Sequence, residues 1–90
     1  MTKTEKRLDK AIRVALTHAC EQAKETVSEF LWLTHTADLK KLPQSLKINC
    51  FFNTLPINEN QKQLIVNLII DELNTIDITI NAKAISFLKE

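Results

Sequence analysis

Glycine is missing altogether. In a chain of 90 residues, average usage of about 7 % would supply roughly six. Their absence removes every site that is built on glycine. A phosphate-cradling loop, a dinucleotide fingerprint and a calcium loop with its obligatory glycine cannot be written here. There are two prolines, Pro43 and Pro56, no tyrosine, one tryptophan and four phenylalanines. Aromatic anchors are therefore few. The two cysteines, Cys20 and Cys50, lack Cys-x-x-Cys spacing, which indicates neither a zinc site nor a disulfide framework. Long apolar runs are missing as well. Leu64-Ile65-Val66 and Leu68-Ile69-Ile70 fall far short of the ~20 residues that span a bilayer. Met1 to Lys10 is charged and no apolar stretch follows, unlike a signal peptide. A cytoplasmic location with reduced thiols is the expectation.

What remains is ordinary for a folded domain: 44 % hydrophobic and 26 % charged residues, with a net charge of +1. That balance gives no bulk drive toward nucleic acid, membrane or acidic substrates, so any such contact must come from a local patch. A chain this short buries only ~60–65 % of the surface exposed by its unfolded form, and oligomerisation would help it.

The periodicities define one domain over residues 1–90. Thr2 followed by Glu5 has capping-box spacing. Leu8, Ile12, Ala15, Ala19, Ala23, Val27, Phe30 and Leu33 then recur at helical intervals. They predict one helix over about 3–34, of about 30 residues and some 45 Å. Part of its apolar stripe is then expected to need another chain. Residues 36–45 read as a connection punctuated by Pro43. From Leu46, apolar and polar residues alternate, which predicts a strand over about 46–53. Asn58 with Gln61 signals a second cap, opening a helix over about 59–75 whose broad apolar arc implies burial on more than one side. A final strand is expected over about 77–88. Either a bulge interrupts it near 82–84, or residues 76–80 are an extended entry to a strand at 82–88.

The fold class is thus α+β in α-β-α-β order, with a long N-terminal helix on a small sheet and a βαβ crossover. Two strands make a poor sheet, so pairing across a dimer or one further short strand is required. Without glycine, helix ends must close on Asn74, polar loops and prolines. Tight glycine hairpins are unavailable, which also favours helical crossovers.

On a helical wheel, Ala11, Ala15, Ala19 and Ala23 form a narrow ridge that admits a close helix neighbour, within the chain or from a second copy. The opposite side carries Lys3, Arg7 and Lys10, then Glu21 and Glu25, with Lys6 and Arg13 flanking the basic half and Glu29 extending the acidic one. This order runs against the helix macrodipole. Two such helices laid antiparallel would match basic half to acidic half in both directions, as a two-fold interface requires. The same cations, with Lys40, Lys41 and Lys47 as a second cluster, could instead meet nucleic-acid phosphates. Stacking aromatics on a sheet face would strengthen that reading, and only Phe51 and Trp32 are candidates. Trp32 and Val14 share the wheel angle of the charged stripe, either covered by the following loop or acting as partner anchors.

His18 and His35 lie on different arcs and have no further ligand at metal-binding spacing. Cys50 points with Leu46, Ile48 and Phe52 toward the core and reads as a small apolar residue. Asp71 and Glu72 are adjacent on a helix and form no acid–base dyad. No catalytic, cofactor or metal residue is assigned.

The segments Cys20-Glu21, Phe30-Leu-Trp-Leu-Thr-His35 and Pro43-Gln-Ser-Leu-Lys-Ile-Asn-Cys-Phe-Phe52 resemble a family of small bacterial proteins of unknown function. These are at times labelled regulators of the factor-for-inversion-stimulation type. The resemblance covers most of the chain, implies nucleic acid as a candidate partner and carries over no functional residue. The leading expectation is a non-enzymatic cytosolic protein, homodimeric or acting by protein contacts, with Lys3, Lys6, Arg7, Lys10, Arg13, Glu21, Glu25 and Trp32 as interaction residues. The alternative is a nucleic-acid-associated regulator using the basic N-terminal stripe.

Overall fold

A computed structural model describes residues 3–42 and 44–90. Thr2, half of the capping box, and Pro43, the loop punctuation, lie outside the described residues. Helix α1 spans Lys3–Thr26, strand β1 Phe30–Thr36, strand β2 Lys47–Phe52, helix α2 Glu59–Asn74 and strand β3 Ile85–Lys89. Short 3-10 turns at Leu39–Lys41 and Ala82–Ala84 precede β2 and β3. The fold is α+β, with a long N-terminal helix and a second helix against a three-stranded sheet.

The chain order is α-β-β-α-β, and the difference from α-β-α-β lies in one segment. The single helix expected over 3–34 ends at Thr26, and residues 30–36 are a strand. Val27 donates its amide to the Ala23 carbonyl, and Phe30 donates to Val27, which turns the chain out of the helix. Phe-Leu-Trp-Leu-Thr-His-Thr is rich in aromatic and β-branched residues, which fit a pleated surface better than a helix. Pairing with β2 then satisfies the backbone along one of its edges. This is the further strand that the sheet required.

The sheet order is β1-β2-β3, with β1 antiparallel and β3 parallel to the central β2. The parallel pair is joined through α2, as the crossover expectation held. A bulge between Phe30 and Trp32 leaves Leu31 without a partner across the ladder. In the last segment, Ile76 and Asp77 belong to the turn that closes α2, residues 78–81 carry no regular structure, and the 3-10 turn follows; the strand is confined to Ile85–Lys89, shorter than either expected span.

One core lies between the helices and one sheet face. From α1 it takes Ile12, Ala15, Leu16, Ala19 and Ala23, from α2 Ile65, Val66, Ile69 and Leu73, and from β2 Ile48, Cys50 and Phe52. The apolar stripe of α1 is therefore covered within the chain and needs no second copy. The alanine ridge is used the same way: Ala15, Ala19 and Ala23 are buried and Ala11 half-buried, and α1 packs on α2. The buried residues of α2 span about 100° of its circumference at 3.6 residues per turn, and Leu64 is exposed. Leu68 and Ile70, on either flank of that arc, also pack partly buried against the core, so the apolar contact of the helix is broader than its fully buried stripe.

Asn58 caps α2 as expected, its side-chain oxygen accepting from the Gln61 amide at 2.8 Å. At the far end, Asp77 takes φ 63°, the left-handed region that usually calls for glycine. The amides of Asp77 and Ile78 return to the carbonyls of Asn74 and Leu73, the crossed pair of a Schellman closure. Asp tolerates that conformation better than most residues, so Asp77, rather than Asn74, closes the helix.

Candidate interaction surfaces

Two surfaces lie outside the core, on opposite sides of the molecule. The first is the outer face of α1. At 100° per residue, Lys3, Arg7, Lys10, Val14, Glu21 and Glu25 fall within one 60° stripe, and all are exposed. Val14 is 46 % exposed at its middle. Arg13 is tied to Asp9 at 3.1 Å. Among the described residues, Lys3, Lys6, Arg7, Lys10, Glu21 and Glu25 are in no ion pair. His18 closes the stripe on one side, its Nδ1 standing 3.7 Å from the Glu72 carboxylate of α2. A groove beside it is lined by Arg7, Lys10, Val14 and His18 from α1 and by Glu72 and Ile76. On the other side of α1, a second groove runs along β1 between Leu16, Cys20, Leu33 and His35. The two histidines thus flank α1 on opposite sides. Glu29, expected to extend the acidic half, lies beyond the helix in the turn before β1.

The second surface is the sheet face that no helix covers. The pleat alternates side chains, and the register aligns the outward ones in rows. Trp32, Phe51 and Leu88 form one row across β1, β2 and β3, Thr34, Asn49 and Ser86 the next, and Thr36 and Lys47 the third. Trp32 and Leu88 are each 40 % exposed. The Trp32 and Phe51 rings stack with centroids 5.6 Å apart and planes 29° from parallel. Trp32 is therefore on the sheet, away from the charged stripe of α1, and the shared wheel angle with Val14 does not survive. The two stacking aromatics singled out by sequence do come together.

Charge is partitioned between these surfaces. All 11 acidic residues lie outside the three strands. At the end of the sheet where β2 and β3 begin, Lys47 and Lys83 border one groove with Asn81, and Lys40 and Lys41 follow β1. Lys40 and Lys41 were legible as a cluster with Lys47. Lys83, 36 residues further on, reaches it only because β3 lies parallel to β2. Asp38, the carboxylate nearest in sequence, is engaged with the Lys40 amide at 3.0 Å.

Burial pushes the Cys50 thiol up to about 12, and the neighbouring Cys20 adds to the shift. At neutral pH it is a protonated, fully buried thiol, as its strand position implied. Among the described residues, no three His, Cys, Asp or Glu side chains group to hold a metal ion, and no helix is long and apolar enough to cross a membrane. No family model matches the chain, and no curated protein or solved structure matches it either.

Proposed function

We propose that this protein is a non-enzymatic contact module that self-associates through the outer face of α1. The observation that carries this is a mirror relation about Val14. Positions equally far from it hold opposite charges: Lys3 against Glu25 and Arg7 against Glu21. Lys10 mirrors His18, beside which stands the Glu72 carboxylate. Two copies of α1 laid antiparallel, with the two-fold axis at Val14, meet cation with carboxylate at Lys3–Glu25 and Arg7–Glu21. An isologous interface has this self-complementarity. The same arrangement accounts for charges that run against the helix dipole and gain nothing from it. With α1 24 residues long, the contact extends over about 36 Å.

Exposed ion pairs are worth about 0.2–1 kcal/mol each, so the four Lys3–Glu25 and Arg7–Glu21 pairs of a dimer sum to about 1–4 kcal/mol. Association is therefore salt-sensitive. Light scattering across protein concentration is the test. A dimer at low salt that dissociates at high salt is expected. The double variant Lys3→Glu with Arg7→Glu dissociates, as does Glu21→Lys with Glu25→Lys, and an equimolar mixture of the two restores a dimer. A monomer at every concentration in low salt contradicts the proposal.

Contact rather than catalysis is supported by the neutral, buried Cys50 thiol and by the separation of His18 and His35 across α1. Two free thiols favour a reducing compartment such as the cytoplasm. The alternative, a nucleic-acid-associated regulator using Lys3, Lys6, Arg7, Lys10 and Arg13, keeps its exposed cations but loses Trp32 from their side. It predicts that the mixture of charge-reversed variants forms no dimer, which separates the two readings.

A further inference from the structure

We infer that the uncovered sheet face is a platform for single-stranded RNA. It lies on the opposite side of the fold from α1, so this assignment stands or falls independently of the dimer. Three features of the face converge on one ligand class. The stacked Trp32 and Phe51 rings offer a π surface to unstacked bases, which every base can use. The adjoining Thr34–Asn49–Ser86 row holds hydroxyl and amide groups with no hydrogen-bond partner among the described residues. Such groups both donate and accept, as does the ribose 2′-hydroxyl, which distinguishes RNA from DNA. Beyond them stand the lysines at the head of the sheet, Lys47 and Lys83 with Lys40 close by in sequence to β1, suited to backbone phosphates.

The electrostatics agree. The strands contain no carboxylate, so a polyanion crosses the sheet without like-charge repulsion from it. A protein partner of mixed charge would gain nothing from that exclusion. The path from the aromatic row to Lys47 covers four residues of β2, about 13 Å at 3.3 Å per residue. That length accommodates about two or three nucleotides, as sheet platforms with paired aromatics do. Splayed bases can lie on such a face, as single-stranded RNA offers them.

Trp32 is the sole tryptophan, so its emission reports on the face directly. The probes are an oligouridine of about twelve nucleotides and the deoxyuridine oligomer of equal length, titrated at low salt. Quenching of Trp32 by the RNA, with weaker binding of the DNA, is expected. Phe51→Ala should weaken the affinity about tenfold, as loss of one stacked base does. Because Phe51 also supports the sheet, a second variant uses only exposed charges. Lys47→Gln with Lys83→Gln should reduce the slope of log affinity against log salt by about 1.4, at about 0.7 per single-strand phosphate contact. Absence of quenching by the RNA at low salt overturns the inference. So does equal or tighter binding of the deoxy oligomer, or a shift of Trp32 emission with protein concentration alone, which would assign the face to a second copy of the chain.

Discussion

Phe51 and Phe52 are neighbours of the same residue type, and they divide the molecule into an interior and an exterior. Phe52 is fully buried, edge-on to Phe30 with ring centroids 5.6 Å apart and tilted against Phe87 at 5.7 Å. Phe51 looks the other way, onto the open face against Trp32. α1 repeats the division with Ile12, fully buried, and Val14, 46 % exposed. In both elements the inward residue is accounted for by packing. Its outward counterpart is equally apolar and lies outside the core, Phe51 half-buried against the exposed Trp32 ring and Val14 exposed. Apolar character therefore does not separate core from surface here. Register does, and the residues that it turns outward are the ones to which we assign partner contacts.

The contrast is broken most forcefully by truncation. Phe52→Ala should lower unfolding free energy by about 3–5 kcal/mol, the usual cost of an aromatic cavity in a core. Phe51→Ala should cost under about 1.5 kcal/mol, a surface aromatic pair being worth about 0.5–1.5 kcal/mol. Urea denaturation of both variants measures the difference. Equal losses would erase the distinction between the two faces.

Cys50 sharpens the same contrast through pH. Its folded pKa, raised from 9.0 to about 12 by burial, means that folding favours the protonated thiol. The stability this supplies is fully present below pH 9 and is lost as pH rises from about 9 toward 12. By pH 10.5 the loss is about 2 kcal/mol, from 1.36 kcal/mol per pKa unit. Cys50→Ala should flatten that alkaline limb in thermal melts at graded pH, whereas Cys20→Ala should leave most of it.

The smallest effect expected is a gain. At Asp77, φ 63° costs a residue with a Cβ more than it costs glycine. Asp77→Gly should raise stability by about 0.5–1 kcal/mol, provided the closing bonds to Asn74 and Leu73 persist. A thermal melt shifted upward by a few degrees checks it.

Much of this was legible in the sequence. The β2 alternation, the Asn58 cap, the parallel crossover and the burial of Cys50 follow from spacing and side-chain chemistry alone. The segment 27–36 was not, because Val27, Phe30 and Leu33 continue the three-residue step of α1 while the same stretch also alternates. The arbiter was composition: aromatic residues and two threonines in seven positions favour a strand, and the Val27-Ser28-Glu29 turn needs no glycine or proline to mark it. That one segment also concealed the open face. Trp32 and Phe51 are brought together by β1–β2 pairing, and Lys83 joins Lys47 by β2–β3 pairing, contacts that sequence distance hides. The charged stripe of α1 from Lys3 to Glu25, by contrast, was readable, since a helix face depends on spacing alone, whereas Glu29 and Trp32, assigned to it by the longer helix, lie beyond Thr26.

The claim that α1 associates with its own copy about Val14 is tested most directly by cross-linking. Antiparallel helices whose axes lie 8–10 Å apart bring facing Cα atoms to about 5 Å, within reach of a disulfide. In a Cys20→Ser background, Val14→Cys should form a covalent dimer rapidly under mild oxidation at low salt, and slowly at high salt. Arg7→Cys and Glu21→Cys, seven residues to either side of the axis and on the same stripe, should remain monomeric as homogeneous samples and cross-link only when mixed together. Equal cross-linking at all three positions, or none at Val14→Cys, would contradict the two-fold arrangement.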